Sequence, residues 1–219
     1  MSQLPANRAL LLSAVSSKAV EHAVSALAQG AVIAFPTDTV YGVGAHALLP
    51  EAVSLLFVVK GRPLTLAIPL LLAGADDLQA VCESVPDVAW QLAERFWPGA
   101  LSLVLKKASC VPDVVTSGRP TVAVRVPDHT LVRALCRELG APLAATSANR
   151  HGEPAPVTAA QVIATLGDRL PLVLDGGPAP VGMPSTVLDL TVSPPAILRP
   201  GPITAADLSP YVPGMRDTG

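Results

Sequence analysis

The chain has 219 residues, enough for one large domain or two small ones with a buried core. Half of it is hydrophobic but only 3% is aromatic, so the core has to be built from Ala, Val, Leu and Ile. Charged residues make up 15% and the net charge is −2, which excludes a global attraction to nucleic acid and makes any gathering of cations conspicuous.

Other classes fall away as quickly. The longest charge-free stretch, 22–37, is broken by Ser25, Gln29, Gly30 and Pro36 and cannot span a bilayer. The first dozen residues carry one Arg and a short Ala-Leu patch without a cleavage site, so no signal peptide is expected. Cys82, Cys110 and Cys136 form no C-x-x-C pair, and His22, His46, His129 and His151 show no metal-type spacing. Reduced thiols, a cytoplasmic location and no metal site in the protein itself are the expectation.

In chain order, residues 17–29 place Ala19, Val20, Ala23, Val24 and Leu27 on one helical face, with Gly30 as a stop. Residues 32–35 read as a strand covered on both faces, ending at Pro36. Thr37, Asp38 and Thr39 then open into a loop, where Gly42 and Gly44 read as a turn that lets backbone approach a ligand. Residues 50–59 predict a helix with Pro50 in its first turn, and 66–72 a buried strand interrupted by Pro69. Helices are predicted over 75–83 and 86–96, strands over 101–106 and 121–126, and a loop over 112–120. Asp128 or Thr130 is expected to cap a helix running to Leu139, and residues 143–146 a strand running into Ser147. A helix capped by Thr158, strands over 172–174, 186–190 and 196–198, and a short helix near Thr204 complete the pattern.

Helices alternate with strands early and strands cluster late, which predicts a single α/β domain with a mixed, partly antiparallel sheet. The division expected is an N-terminal segment 1–16, a domain 17–208 and a flexible tail 209–219.

The polar residues at element ends are Thr37, Thr39, Lys60, Arg62, Arg125, Ser147, Asn149, Ser185 and Arg199. Four are cations, each within two residues of a Pro or Gly in a charge-poor chain. No Ser-His-Asp order, zinc-helix motif, glutamate pair or Walker phosphate loop accompanies them. Taken singly, each cation reads equally well as a solvated strand-end charge or as a functional one. As a set rich in Lys, Arg and hydroxyls they suit a polyanionic ligand such as a nucleotide.

Seven pieces resemble the YrdC-like family, in the family's order over residues 17–203. They are Pro36-Thr37-Asp38-Thr39-Val40-Tyr41-Gly42-Val43-Gly44, Lys60-Gly61-Arg62-Pro63, Trp97-Pro98-Gly99 and Val122-Ala123-Val124-Arg125-Val126-Pro127. Thr146-Ser147-Ala148-Asn149, Pro184-Ser185-Thr186-Val187-Leu188-Asp189 and Leu198-Arg199-Pro200-Gly201 follow. The resemblance implies a twisted α/β domain with flanking helices and a positively lined concave surface. It also implies an L-threonylcarbamoyladenylate synthase, a nucleotidyltransferase that joins L-threonine, bicarbonate and ATP with release of pyrophosphate. The product would serve threonylcarbamoyladenosine modification of tRNA by separate transferase proteins, so any direct RNA contact by this chain is expected to be weak. Mg²⁺ is expected to arrive with ATP rather than in a carboxylate cage.

Position by position, Lys60 and Arg62 match the family's K-x-R and are expected to neutralise the triphosphate. Thr121, Asn149, the backbone near Val157, and Arg199 match other ATP-contacting positions. Thr39, Arg125, Ser147 and Ser185 match threonine-binding positions, with Arg125 suited to a bidentate grip on a carboxylate, or else to an internal ion pair with Asp128. Ser147 and Asn149 are expected to face the cavity together and join the two substrates.

The chain departs from the family over Leu64-Thr65-Leu66-Ala67-Ile68-Pro69-Leu70, where a polar residue and a nearby His are common. With 219 residues, it is also expected to lack the extra C-terminal domain of some members. Two other readings compete with the synthase: a non-catalytic RNA- or nucleotide-binding module of the same fold, and a carbamoyl-transfer accessory domain. The lack of zinc-finger cysteines argues against the second.

Overall fold

The computed structural model describes residues 9–16 and 18–217. Its elements run β1 (Leu10–Ser13), α1 (Ala19–Ala28), β2 (Ile33–Phe35), β3 (Gly42–His46), α2 (Pro50–Lys60), β4 (Leu70–Leu71), a 3₁₀ turn (Ala75–Asp77), α3 (Leu78–Val81) and α4 (Asp87–Phe96). They continue β5 (Leu101–Lys106), α5 (Asp113–Thr116), β6 (Thr121–Arg125), α6 (Thr130–Leu139), β7 (Leu143–Ser147), α7 (Ala159–Leu166), β8 (Leu172–Asp175), β9 (Thr186–Asp189), β10 (Ala196–Arg199), α8 (Ala205–Leu208) and β11 (Arg216–Asp217).

The strands form one mixed sheet in the order β1-β8-β2-β3-β7-β4-β6-β5-β9-β10-β11. Strand alternation divides its side chains between two cores. Ile33, Phe35, Leu143, Ala145, Leu172 and Leu174 pack with α1 and α6 on one face. Ala34, Val43, Ala45, Ala144 and Val173 join α2, α4 and α7 in the core of the other. In β5, β6 and β9, Leu101, Leu103, Leu105, Val122, Val124 and Leu188 also belong to this second core. Their alternates, Ser102, Val104, Thr121, Ala123, Arg125, Val187 and Asp189, line a concavity instead. Leu71 and Ala145 border both that concavity and the α1/α6 core. The helices thus cover one half of this face, and the other half is the cavity floor.

The mixed-sheet α/β architecture agrees with the pattern of apolar runs, and several local readings need correction. Gly42 and Gly44 do not make a turn: they belong to β3, paired antiparallel to both β2 and β7. Their missing Cβ atoms make room across the sheet, since a Cβ built on Gly42 would lie 2.9 Å from the Phe35 ring and one on Gly44 3.0 Å from the Ala144 carbonyl. The strand expected over 66–72 shrinks to Leu70–Leu71. Pro69 interrupts it, and the carbonyls of Leu66 and Ala67 are turned towards the Arg62 guanidinium rather than a neighbouring strand. The loop expected over 112–120 contains α5, and the helix over 75–83 divides into the 3₁₀ turn and α3. His129, not Asp128 or Thr130, occupies the N-cap of α6, without a side-chain bond, whereas Thr158 caps α7 through Gln161 as expected.

The ends differ too. β1, assigned to the N-terminal segment, pairs with β8 as the sheet's edge strand. The stretch from Ser209, expected to be flexible, buries Val212 and pairs β11 with β10. Most of the N-terminal reading, including the signal-peptide expectation, and the helix start at Ser17 lie outside the described residues. Among the described residues, no helix is long and apolar enough to cross a membrane.

Candidate functional site

The cavity has a volume of about 550 Å³, and its lining brings together seven of the predicted site residues: Thr39, Arg62, Thr121, Arg125, Ser147, Ser185 and Arg199. Thr37, Thr146, Ser102, Arg119 and Asp189 also line it. Lys60, Asn149 and Val157 do not.

One wall is the loop between β2 and β3. The Thr37 hydroxyl accepts from the Thr39 and Val40 amides at 3.1 and 3.2 Å and donates to the Val40 carbonyl at 2.6 Å. The Thr37 and Thr39 hydroxyls lie 3.0 Å apart. This separates two residues that sequence could not: Thr37 builds the turn, and Thr39 is presented by it. Arg125, at the end of β6, meets the same loop and is 6% exposed. Its NH1 donates to Thr39 Oγ1 at 2.9 Å, its NH2 to both Asp38 carboxylate oxygens at 2.6 and 2.7 Å, and its Nε to the Gly99 carbonyl at 2.8 Å. The internal ion pair is therefore with Asp38 and not Asp128. The guanidinium is thus tied to the protein at all three nitrogens while its residue still lines the cavity.

The rest of the cavity's arginine-bearing wall is held differently. Arg62 donates to the Leu66 and Ala67 carbonyls at 3.2 and 3.0 Å, and Arg119 to the Thr65 carbonyl at 3.3 Å. Arg199 donates to the Ser185 carbonyl at 3.0 and 2.7 Å and to its hydroxyl at 3.1 Å. Ser185 and Ser102 hydroxyls lie 2.8 Å apart. Carbonyl partners orient these guanidinium groups without neutralising them. Burial lowers the pKa of Arg62 and of Arg199, and repulsion from Arg125 and then Arg62 lowers Arg199 further. The cations thus converge, which spacing could not establish.

Lys60 is 2% exposed and lies behind the cavity rather than in it. Its ammonium donates to Ser147 O, to Ser147 Oγ at 3.3 Å, and to Asn149 O and Oδ1 at 2.9 and 2.8 Å. Burial, and then the Arg62 charge, bring its pKa down to about 8 against a small opposing pull from Glu153. The Asn149 amide donates to the Arg150 and Glu153 carbonyls, so both ends of that side chain are engaged. Ser147 and Asn149 do share a side, but what they share there is Lys60. At Val157 the amide donates to Gln161 Oε1 at 2.7 Å and the carbonyl accepts from Ala179 at 2.8 Å, so the helix cap occupies the backbone that a nucleotide was expected to meet.

Sequence reasoning missed Arg119, although Gly118 and Pro120 flank it much as Gly61, Pro63 and Pro200 adjoin Lys60, Arg62 and Arg199. It also missed Ser102, whose only signal is an even position in an otherwise apolar strand. Among the described residues, no cluster of three or more His, Cys, Asp or Glu could hold a metal. The cavity offers guanidinium groups, hydroxyls and one lining carboxylate, Asp189, which accepts from Thr191. That inventory can bind and orient anions, and it contains no paired nucleophile and base.

A family model described as telomere recombination (Sua5/YciO/YrdC) matches residues 25–201. The chain is 41% identical over 188 residues to a threonylcarbamoyl-AMP synthase of Pyrococcus abyssi, an alignment covering 86% of this chain and 55% of that protein. It is 42% identical over 197 residues to a threonylcarbamoyl-AMP synthase of Bacillus subtilis, covering 88% and 56% respectively. The solved structure of P. abyssi Sua5 complexed with L-threonine superposes with a TM-score of 0.92 at 37% identity, covering 95% of this chain and 62% of that one. This chain therefore spans little more than half the length of those two relatives. With 177 consecutive positions under one family model, from 25 to 201, the chain belongs to the Sua5/YciO/YrdC family.

Proposed function

We propose that this chain is an L-threonylcarbamoyladenylate synthase. The observation that carries the reading is the single cavity in which Arg62, Arg125 and Arg199 converge with Thr39, Ser147 and Ser185, without an acid–base pair. Two similar proteins are threonylcarbamoyl-AMP synthases, and one similar structure is complexed with L-threonine. In the reaction, the threonine amine and bicarbonate give a carbamate and water. A carbamate oxygen attacks the α-phosphorus of ATP in line, forming the new P–O bond as the bond to pyrophosphate breaks. Such a displacement is served by positioning and fixed positive charge more than by proton transfer.

The residues divide accordingly. Thr39, the NH1 edge of Arg125, Ser147 and Ser185 hold the amino acid, with the arginine meeting its carboxylate through one donor. Arg62 and Arg199 meet the polyphosphate, and Thr121 lines the same cavity. Lys60 and Asn149 fix the end of β7 and so place Ser147 between the substrates, a supporting role in place of direct phosphate contact. Mg²⁺ bound to ATP oxygens and water adds countercharge there. The product passes to separate tRNA-modifying transferases in the cytoplasm.

The test is isotope exchange between pyrophosphate and ATP catalysed by the purified chain. Exchange that requires both threonine and bicarbonate is expected. Nucleotide binding without exchange would leave a non-catalytic binding module of the same fold.

A further inference from the structure

We infer that Asp38 is a positioning residue for the amino-acid end of the cavity, and that it acts through Arg125. This rests on the proposed function. The motif loop contributes two hydroxyls to the cavity region, but its carboxylate does not line the cavity. Both carboxylate oxygens go to one guanidinium nitrogen, Arg125 NH2, at 2.6 and 2.7 Å. With Gly99 O on Nε and Thr39 Oγ1 on NH1, all three nitrogens of the planar group have fixed acceptors. Three anchors around one plane leave the guanidinium no rotation, so one edge faces the ligand in a single orientation.

Asp38 is itself held in place. Its carbonyl accepts from the Val181 amide at 3.1 Å, and the next carbonyl, Thr39, accepts from Gly182 at 2.8 Å. The Thr37 turn fixes the loop from the other side. The segment from Gly182 leads within three residues to Ser185, another wall of the same cavity. A carboxylate anchored at both its main chain and its side chain is therefore a rigid brace between the loop and β6.

Stability alone does not call for this pair. A buried ion pair commonly contributes no more than well-packed apolar residues would. What the pair adds is direction and charge balance. Asp38 offsets the charge of Arg125 beside Thr39, whereas the contacts described for Arg62, Arg119 and Arg199 are to carbonyl and hydroxyl oxygens. A near-neutral, hydrogen-bonding end suits a zwitterionic amino acid; a cationic end suits a polyphosphate.

The test is calorimetric affinity for L-threonine and, separately, for a non-hydrolysable ATP analogue, with a thermal melt of each protein. Asp38→Asn keeps the shape and removes the charge. It is expected to weaken threonine about tenfold and to leave the nucleotide within about twofold, as befits the loss of one charge-assisted brace. In an Arg125→Lys background the same change is expected to have no further effect on threonine, because the brace has lost the group it orients. Should the Asn protein not fold, Asp38→Glu moves the carboxylate by one methylene, and a threonine loss of at least about threefold with unchanged nucleotide affinity reads the same way. Unaltered threonine affinity in a folded variant overturns the inference. So do equal losses for both ligands, or losses that add to those of Arg125→Lys. If the wild-type chain binds nucleotide but no threonine, the proposed function falls and the inference with it; threonine binding that Asp38 does not influence overturns the inference alone.

Discussion

The two walls of the cavity use the same residue type in opposite ways. Arg125 is sunk into the protein and paired with a carboxylate, while Arg62, Arg119 and Arg199 are tied to main-chain carbonyls and keep their charge for whatever enters. An Arg–carboxylate pair buried on one wall is a structural element first, since removing either partner strands a charge away from water. A guanidinium on a carbonyl is oriented at little cost and stays available to an anion. The difference shows that a row of motif arginines is not one kind of site: burial and partner decide which is scaffold and which is bait.

The largest expected effect breaks the first wall. Arg125→Ala leaves Asp38 buried without its partner and should destabilise the fold by about 3–5 kcal/mol. Urea unfolding measures this, and a loss no greater than that of Arg62→Ala would erase the distinction between the walls. Smaller in stability, but decisive for ligand, are Arg62→Ala and Arg199→Ala. Each should weaken an ATP analogue about 10- to 100-fold, the range of one charge-assisted contact, with threonine affinity nearly unchanged. The nucleotide loss should shrink at high salt, where exposed charges are screened. Equal losses for both ligands would mean that the two ends of the cavity are not separate.

The smallest effect concerns Lys60, which belongs to neither wall. Its folded pKa is depressed to about 8 from an ordinary value of 10.5, so between these values the unfolded chain binds more protons than the native one. Stability contributed at this site therefore rises with pH from about 8 and levels off above 10.5. Wild type should gain a few degrees in melting temperature over Lys60→Met between about pH 7.5 and 10, other groups cancelling in the difference. A difference that is flat across that range would show the ammonium to be better solvated than its burial implies.

The motif pieces that carried the resemblance turn out to be pairs in space. Gly42 and Val43 of the first piece lie against Ser147 and Thr146 in the β3–β7 pairing. Trp97-Pro98-Gly99 supplies the carbonyl that receives Arg125 Nε. Pro184-Ser185-Thr186 and Leu198-Arg199-Pro200-Gly201 close on each other, with Thr186 Oγ1 bonded to the Ile203 amide and carbonyl at 3.1 and 2.7 Å and a Cβ on Gly201 barred by the 184–186 backbone. Order along the chain held this information only implicitly, because each half of a pair reads by itself as a turn or a strand end.

Local chemistry in the sequence was sufficient for the α/β pattern, for most helices and strands between Ile33 and Leu208, and for seven residues that meet in the cavity. Period-two alternation, Gly and Pro stops, and the Thr158 cap act over a few neighbouring residues and can be read there. Tertiary structure alone decided that Gly42 and Gly44 are strand residues, because the ring they make room for, Phe35, is on another strand. It alone placed Lys60 behind Ser147 and Asn149, gave Arg125 to Asp38, and closed the Val157 backbone with a helix cap. Each of those outcomes depends on a partner's distance and burial, and a cation's spelling is the same whether its charge is spent inside the protein or kept for a ligand.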